Sequence, residues 1–203
     1  MLREFVARKY KQVAKLIKPG SSVLDIGCNT GELLDVLPKA DYVGVDINKE
    51  EIKKLRNKGI KASALDLNKD RMHFNKKFDY VVALDICEHI LDPAGMIREF
   101  KKILKPEGQL VISLPNDYHL FNKIRFLFNK NLTKDPFSAA GHLHIFPINE
   151  GERFLEKENL VITNQVKLYP DKPRIIPSSV RKFLSKMFPN NFSRGTIYLA
   201  RFK

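Results

Sequence analysis

No stretch narrows the choice of fold more than Val23-Leu24-Asp25-Ile26-Gly27-Cys28-Asn29-Thr30-Gly31, a short apolar strand running straight into a tight turn. Gly27 and Gly31 permit positive φ and a close backbone approach, which a buried strand needs to turn sharply beneath a bound nucleotide. Their spacing is G-x-x-x-G, so the G-x-G-x-x-G fingerprint of dinucleotide sites is absent. Asp25, just before the turn, would repel a pyrophosphate and suits a ligand that carries positive charge. Asp46 closes the next strand 19 residues after Gly27, where an acid in a nucleotide-binding sheet accepts from ribose hydroxyls.

The remaining pattern continues that alternation. Leu2, Phe5, Val6, Val13, Leu16 and Ile17 share one face of a predicted helix over 2–17, ended by Pro19-Gly20. Strands are predicted at 23–26, 42–45, 61–65, 78–84 and 109–114, with helices at 32–37, 49–58 and 94–104 between them. Such a rhythm means a largely parallel sheet covered on both faces. Tyr118–Phe128 is at once apolar and basic, and 129–147 reads as a long irregular connection. A helix at 149–157, a strand at 161–167, a basic helix at 178–187 and a closing strand at 196–202 complete the chain. One domain over 1–203 is expected, with an N-terminal helix in 1–20, a substrate-covering insertion at 115–147 and a basic C-terminal segment at 167–203.

Charge separates the ends from the middle. Lys plus Arg is 36 against 23 Asp plus Glu, a net +13, of which residues 1–20 carry +5 and residues 167–203 carry +8. The middle is neutral, so the ends suit something anionic: a charged small-molecule acceptor, a lipid surface or nucleic acid. Cys28 and Cys87 are too few for a disulfide framework and suit a reducing cytoplasm. No secretory leader or membrane-spanning run is predicted, which leaves peripheral membrane contact as the membrane option.

The ordered motifs VLDIGCNTGELL (23–34), YVGVDIN (42–48), ALDLN (64–68), FDYVVALDICEHILDP (78–93) and LKPEGQLVISLPN (104–116) resemble those of the class I S-adenosylmethionine-dependent methyltransferases. The resemblance covers roughly 20–165 and is similar in particular to the ubiquinone-biosynthesis-type, small-molecule branch. It implies a Rossmann-like α/β fold: a seven-stranded, mostly parallel sheet with an antiparallel last strand at 196–202 and helices on both faces. It also implies S-adenosylmethionine as cofactor, with Asp25, Gly27, Cys28, Asn29 and Gly31 around the methionine part. Asp46 would hold the ribose, Ile47 would pack on the adenine, and Asp66 and Leu67 would bracket it. Ala83, Leu84 and Asp85 would lie under the sulfonium and face the acceptor. Asn29 stands where many members have glycine.

The donor methyl is already activated, so catalysis is chiefly positioning, with a base to free the acceptor of its proton. His89, after Glu88 at the carboxyl edge of the fourth strand, is the first candidate for an acceptor hydroxyl. His142 is the second, as a wall of the same pocket. If residues 141–146 are extended, His142 and His144 share a side and could ligate a metal with Asp85 or Glu88. Without a tighter ligand motif, no metal is predicted. His73 reads as surface and Cys87 as a buried structural thiol.

The predicted reaction is methyl transfer to a small or lipid-linked metabolite, through oxygen before carbon or nitrogen, releasing S-adenosylhomocysteine. The segments 113–131 and 141–160 are similar to methionine-biosynthesis protein W, which would imply an accessory role. A nucleic-acid substrate is disfavoured, because Leu84-Asp85-Ile86-Cys87 lacks the Pro-Pro-aromatic run of exocyclic-amine methylation. Leu120, Phe121, Ile124, Leu127 and Phe128 could form a lid or rest on a membrane.

Overall fold

The structure, a computed structural model, describes residues 2–37, 39–130, 141–171 and 175–203. At its centre is a seven-stranded sheet in the order β3-β2-β1-β4-β5-β7-β6. The strands are β1 (Ser22–Ile26), β2 (Asp41–Asp46), β3 (Ala62–Ala64), β4 (Phe78–Leu84), β5 (Leu104–Pro115), β6 (Leu160–Leu168) and β7 (Gly195–Phe202). The pairs among β1 to β5 are parallel, and β7 runs antiparallel to both β5 and β6. Strand order reverses between β1 and β4, so a crevice opens beyond their carboxyl ends, the general ligand position in an open α/β sheet.

Alternation along each strand sends successive side chains to opposite faces and builds two cores. Leu24, Val81 and Ile112 join one with Phe100 and Leu155, from α3 (Pro93–Ile103) and α5 (Ile148–Lys157). Val23, Val82 and Val111 join the other with Val13 and Ile52, from α1 (Leu2–Ala14) and α2 (Lys49–Asn57). Each fully buried Leu, Ile, Val or Phe contributes about 1.5–3 kcal/mol, so both faces are strongly committed and strand register is fixed. Helices on both faces and the antiparallel β7 match the expected architecture. The outer elements are α4 (Leu120–Leu127), α6 (Ser178–Met187) and α7 (Pro189–Phe192).

Two expectations change. The predicted helix at 32–37 is only a single 3-10 turn, Leu34–Val36. The segment is too short to nucleate a helix well, and Leu37, which precedes a proline, is extended at φ −86°, ψ 120°. Strand β5 begins at Leu104 rather than Gln109, taking in Pro106 and Gly108 beside a register shift opposite Phe78 and Tyr80. Most of the predicted irregular connection, 131–140, lies outside the described residues.

Candidate active site

The turn after β1 is tied to β2. The Gly27 and Cys28 amides both donate to the Val45 carbonyl, at 2.8 and 3.0 Å, and Gly31 N–H donates to Cys28 O at 2.8 Å. Gly27 and Gly31 sit at φ +74° and +86°, and Asn29 also adopts positive φ at +46°. Asn tolerates this region better than most residues, so the loop keeps its shape. The Asp46 carboxylate caps the turn: Oδ2 accepts from Asn29 N–H and Oδ1 from Asn48 N–H, both at 2.8 Å. Each oxygen retains a lone pair, and the neighbouring Ile47 side chain is 66% exposed. A carboxylate beside an open apolar side chain suits a ribose and the base attached to it.

Asp25 lies beneath the turn, buried, and accepts a 2.8 Å hydrogen bond from the Tyr42 hydroxyl. Burial pushes its carboxyl up to about 7, with Glu32 and Asp46 adding to the rise while Tyr42 and Lys9 oppose it. The Cys28 thiol is buried and directed into the sheet, where a Cβ on Gly44 would lie 2.7 Å from its Sγ. Burial, then the Asp25 charge, raise that thiol to about 12. The Cys28 side chain is thus packed in the core, while its backbone forms part of the turn.

Asp66 and Leu67 follow β3 at the same edge. Asp66 Oδ1 accepts from Asn68 N–H at 3.0 Å and Oδ2 lies 3.2 Å from Lys69, and these contacts hold its carboxyl below the usual range. Leu67 packs partly against the core. At the end of β4, Ala83 is wholly buried in that core. Leu84 packs partly against the opposite core. Asp85, at φ +54°, is pinned by Ser113, whose hydroxyl donates to its Oδ1 at 2.5 Å and accepts from its N–H at 2.9 Å.

A second group of side chains stands next to Asp85. Glu88 is 1% exposed, and neither of its oxygens has a hydrogen-bond partner among the described residues. His89 Nε2 and His142 Nε2 each lie 4.0 Å from its Oε1, and the two rings meet edge to face at 5.1 Å. The far nitrogens are occupied: His89 Nδ1 lies 3.2 Å from Gly141 O, and His142 Nδ1 lies 2.9 Å from Asp117 Oδ2. Those partners only accept, so each Nδ1 carries hydrogen and each Nε2 is left to face Glu88. Burial, with Asp85 nearby, raises Glu88 to about 8, while the Asp117 bond raises His142 above the usual histidine range.

The two predicted acceptor-side residues thus come together, although they are far apart in sequence. The suggested pairing of His142 with His144 does not form. The 141–144 segment docks on β4's exit through Leu143 and His144 amides donating to Glu88 O, and His144 Nε2 lies 2.8 Å from Ile90 O. His73 is exposed, as predicted, and Cys87 is buried.

Four contributors escaped the sequence reading: Lys9, Tyr42, Ser113 and Asp117. Lys9 had a signal. It stands four residues from both Phe5 and Val13, on the apolar stripe of α1, where a solvated lysine would be out of place. Beside it, Tyr10 is pushed above its ordinary range by burial and by the charges of Asp25, Glu32 and Asp85. The helix α1 therefore leans over the crevice.

This sheet order, the glycine turn, the acids closing β1 and β2 and the polar cluster beyond β4 define a class I S-adenosylmethionine-dependent methyltransferase. The chain belongs to the family described as "Methyltransferase domain", whose model matches residues 1–165. An uncharacterized protein of Methanocaldococcus jannaschii is 29% identical over 206 aligned residues, 93% of this chain and 79% of that protein. Ubiquinone biosynthesis O-methyltransferase of Haemophilus ducreyi is 30% identical over 109 residues, 48% of this chain and 46% of its own length. This chain therefore spans less than half of that relative. A solved S-adenosylmethionine-dependent methyltransferase from Clostridium acetobutylicum shares the fold at a TM-score of 0.61 and 18% identity, over 98% of this chain and 89% of its own.

Proposed function

We propose that this methyltransferase alkylates an oxygen of a small or lipid-linked, anionic metabolite. The observation that carries the reading is the Glu88–His89–His142 cluster, in which two imidazole Nε2 atoms lie 4.0 Å from the Glu88 carboxyl group, just beyond the carboxyl edge of β4. Bound S-adenosylmethionine supplies a methyl group on a sulfonium, a carbon already open to attack. Asp25 and the turn through Gly27, Cys28, Asn29 and Gly31 would receive the methionine end, and Asp46 the ribose hydroxyls. Ile47, Leu67 and Asp66 would enclose the adenine, and Leu84 and Asp85 would line the reacting end. Transfer forms an oxygen–carbon bond as the carbon–sulfur bond breaks, its electron pair returning to sulfur. The acceptor proton must leave, and His89 and His142 stand where it does so.

Three features support an anionic or lipid-linked acceptor. The termini hold the whole of the chain's positive excess. Helix α4 exposes Phe121, Ile124 and Leu127, and α6 exposes Phe183 and Met187 beside Lys182 and Lys186. Both helices pack against α7. No helix among the described residues is long and apolar enough to cross a membrane. The test is to incubate the protein with methyl-labelled S-adenosylmethionine and fractionated cell extract. Label should enter aqueous or lipid-extractable metabolites. Label confined to RNA, or no label at all with bound S-adenosylhomocysteine demonstrated, overturns the reading.

A further inference from the structure

Glu88 carries a carboxyl group that is 1% exposed and that no hydrogen-bond donor among the described residues reaches. A buried carboxylate without a partner is strongly disfavoured, so native structures rarely keep one unless a cation or chemistry accounts for it. Its surroundings are arranged for a cation. Glu88, His89 and His142 offer one donor atom each within 4.8 Å of one another. The Gly141 carbonyl and the Asp117 carboxylate hold the two Nδ1–H groups, leaving both Nε2 lone pairs turned toward the carboxylate. Asp117 behind His142 is the carboxylate–histidine support that orients a ligating ring and increases its basicity.

We infer that Glu88, His89 and His142 form a binding site for a divalent transition-metal ion of zinc's preferences, open on the side where the acceptor enters. Two imidazoles and one carboxylate are the ligand set of a catalytic rather than a structural centre, because a fourth position remains for an exchangeable oxygen. Donors in a tetrahedral zinc site stand about 3.3 Å apart, so the observed 4.0 Å separations close by less than an ångström through side-chain rotation. Glu88 is fixed through its own carbonyl, which accepts from the Leu143 and His144 amides. The loop that brings His142 is therefore locked to the residue that carries the third ligand. Harder cations such as magnesium prefer an all-oxygen shell, and two imidazoles weigh against them.

The inference deepens the acceptor-side reading and rests on it: an ion here would hold the acceptor oxygen and ease loss of its proton to solvent. His89 and His142 then promote loss of the acceptor proton through the ion they hold. Metal binding itself needs neither cofactor nor acceptor, so it can be measured alone. The full chain, stripped with a chelator and dialysed, is titrated with zinc by calorimetry and with cobalt by visible absorption.

One ion should bind per chain, with the intense cobalt spectrum of a four-coordinate site. Glu88→Gln and His142→Ala should each weaken binding roughly 100-fold, and Asp117→Asn about 10-fold. His73→Ala should change nothing. Circular dichroism checks that each variant is folded; if Glu88→Gln is not, His142→Ala and Asp117→Asn decide. Unsaturable zinc binding by the wild type, or equal affinity in His142→Ala, overturns the site. Titration with S-adenosylhomocysteine separates the two readings. Bound nucleoside without zinc defeats the metal site alone, and bound zinc without nucleoside defeats the methyl-transfer assignment.

Discussion

Lys9 Nζ on α1 lies 2.5 Å from Asp85 Oδ2 at the end of β4, so the first helix is held over the crevice by an ion pair whose lysine is almost wholly buried. Among the described residues Asp85 is otherwise held by Ser113, and it occupies a strained positive φ. Removing the lysine leaves an uncompensated carboxylate under a helix. Because the Asp85 side chain keeps 39% exposure, the cost is well below that of a fully buried pair. Lys9→Met should lower unfolding free energy by about 1–2 kcal/mol. Urea denaturation measures this, and hydrogen exchange should show α1 amides losing protection before those of β4. Unchanged exchange in α1 would mean the pair does not anchor the helix.

The ribose assignment is tested at Asp46. Two charge-assisted hydrogen bonds to vicinal hydroxyls are worth about 1.5–3 kcal/mol each relative to none. Asp46→Ala should therefore weaken S-adenosylhomocysteine binding by at least roughly 100-fold. Asp46→Asn, which keeps one acceptor, should fall between. Calorimetric titration reads both, with circular dichroism confirming that the cap on Asn29 is not required for folding. Equal affinity of wild type and Asp46→Ala would remove the ribose from this position.

Asp25 gives a pH dependence with a definite sign. Its carboxyl is raised to about 7 in the fold, against 3.8 when exposed. The folded state therefore binds the extra proton between those values. This group's contribution to stability is full below the lower value, declines as pH rises through the upper one, and is flat beyond. Cofactor affinity runs the other way, because an ammonium above Asp25 favours the carboxylate. Binding of S-adenosylhomocysteine should tighten roughly 10-fold from about pH 6 to about pH 8, with protons released on the acidic side. Tyr42→Phe removes the hydrogen bond that opposes the rise and should move the profile to higher pH. A flat profile across that range would show that Asp25 does not meet the charged end.

Much of this site was legible because it depends on short-range pattern. The 78–84 strand and the 178–187 helix fall where the hydropathy pattern places them, and the turn at 27–31 reports itself through its glycines. What the sequence hides is long-range closure. His142 and His144 invite pairing because they are two residues apart, yet the segment is not a strand. One ring turns to Asp117 and the other to Ile90 O. The partner that His142 does find, His89, follows β4 and is separated from it in the chain by α3, β5 and α4. Lys9 was obscured by composition, since one lysine among six basic residues in 1–20 reads as solvated surface unless its helical phase is followed.

Gly27 shows how tightly the turn is built. A Cβ there would fall 2.3 Å from Ile86 Cδ1, at a φ of +74°. Gly20 has a similar φ of +80° with nothing within 4 Å, and so isolates the backbone contribution. Gly20→Ala should cost about 1 kcal/mol, and Gly27→Ala about 2–4 kcal/mol because overpacking adds to it. Ile86→Ala in the Gly27→Ala background should recover part of that excess, giving a non-additive cycle in urea denaturation. Equal costs at the two glycines would refute the close contact.

The apolar and basic side chains that α4 and α6 expose predict a lipid preference. Phe121, Leu127, Phe183 and Met187 are each more than half exposed, and Lys123 ties α4 to α7 through Asn191 Oδ1 at 2.6 Å. Exposed apolar side chains gain by entering the interfacial layer, while neighbouring lysines gain only where the headgroups are anionic. The protein should sediment with phosphatidylglycerol-rich vesicles and not with pure phosphatidylcholine, and binding should weaken as salt is raised. Phe121→Ser with Leu127→Ser removes two large apolar side chains, which at about 1.5–3 kcal/mol for full burial of each should reduce partitioning at least roughly 10-fold. Their exposure means that folding and S-adenosylhomocysteine affinity should hold. Vesicle binding that survives the double substitution would place the contact elsewhere, and no sedimentation with anionic vesicles would leave the acceptor a soluble anion.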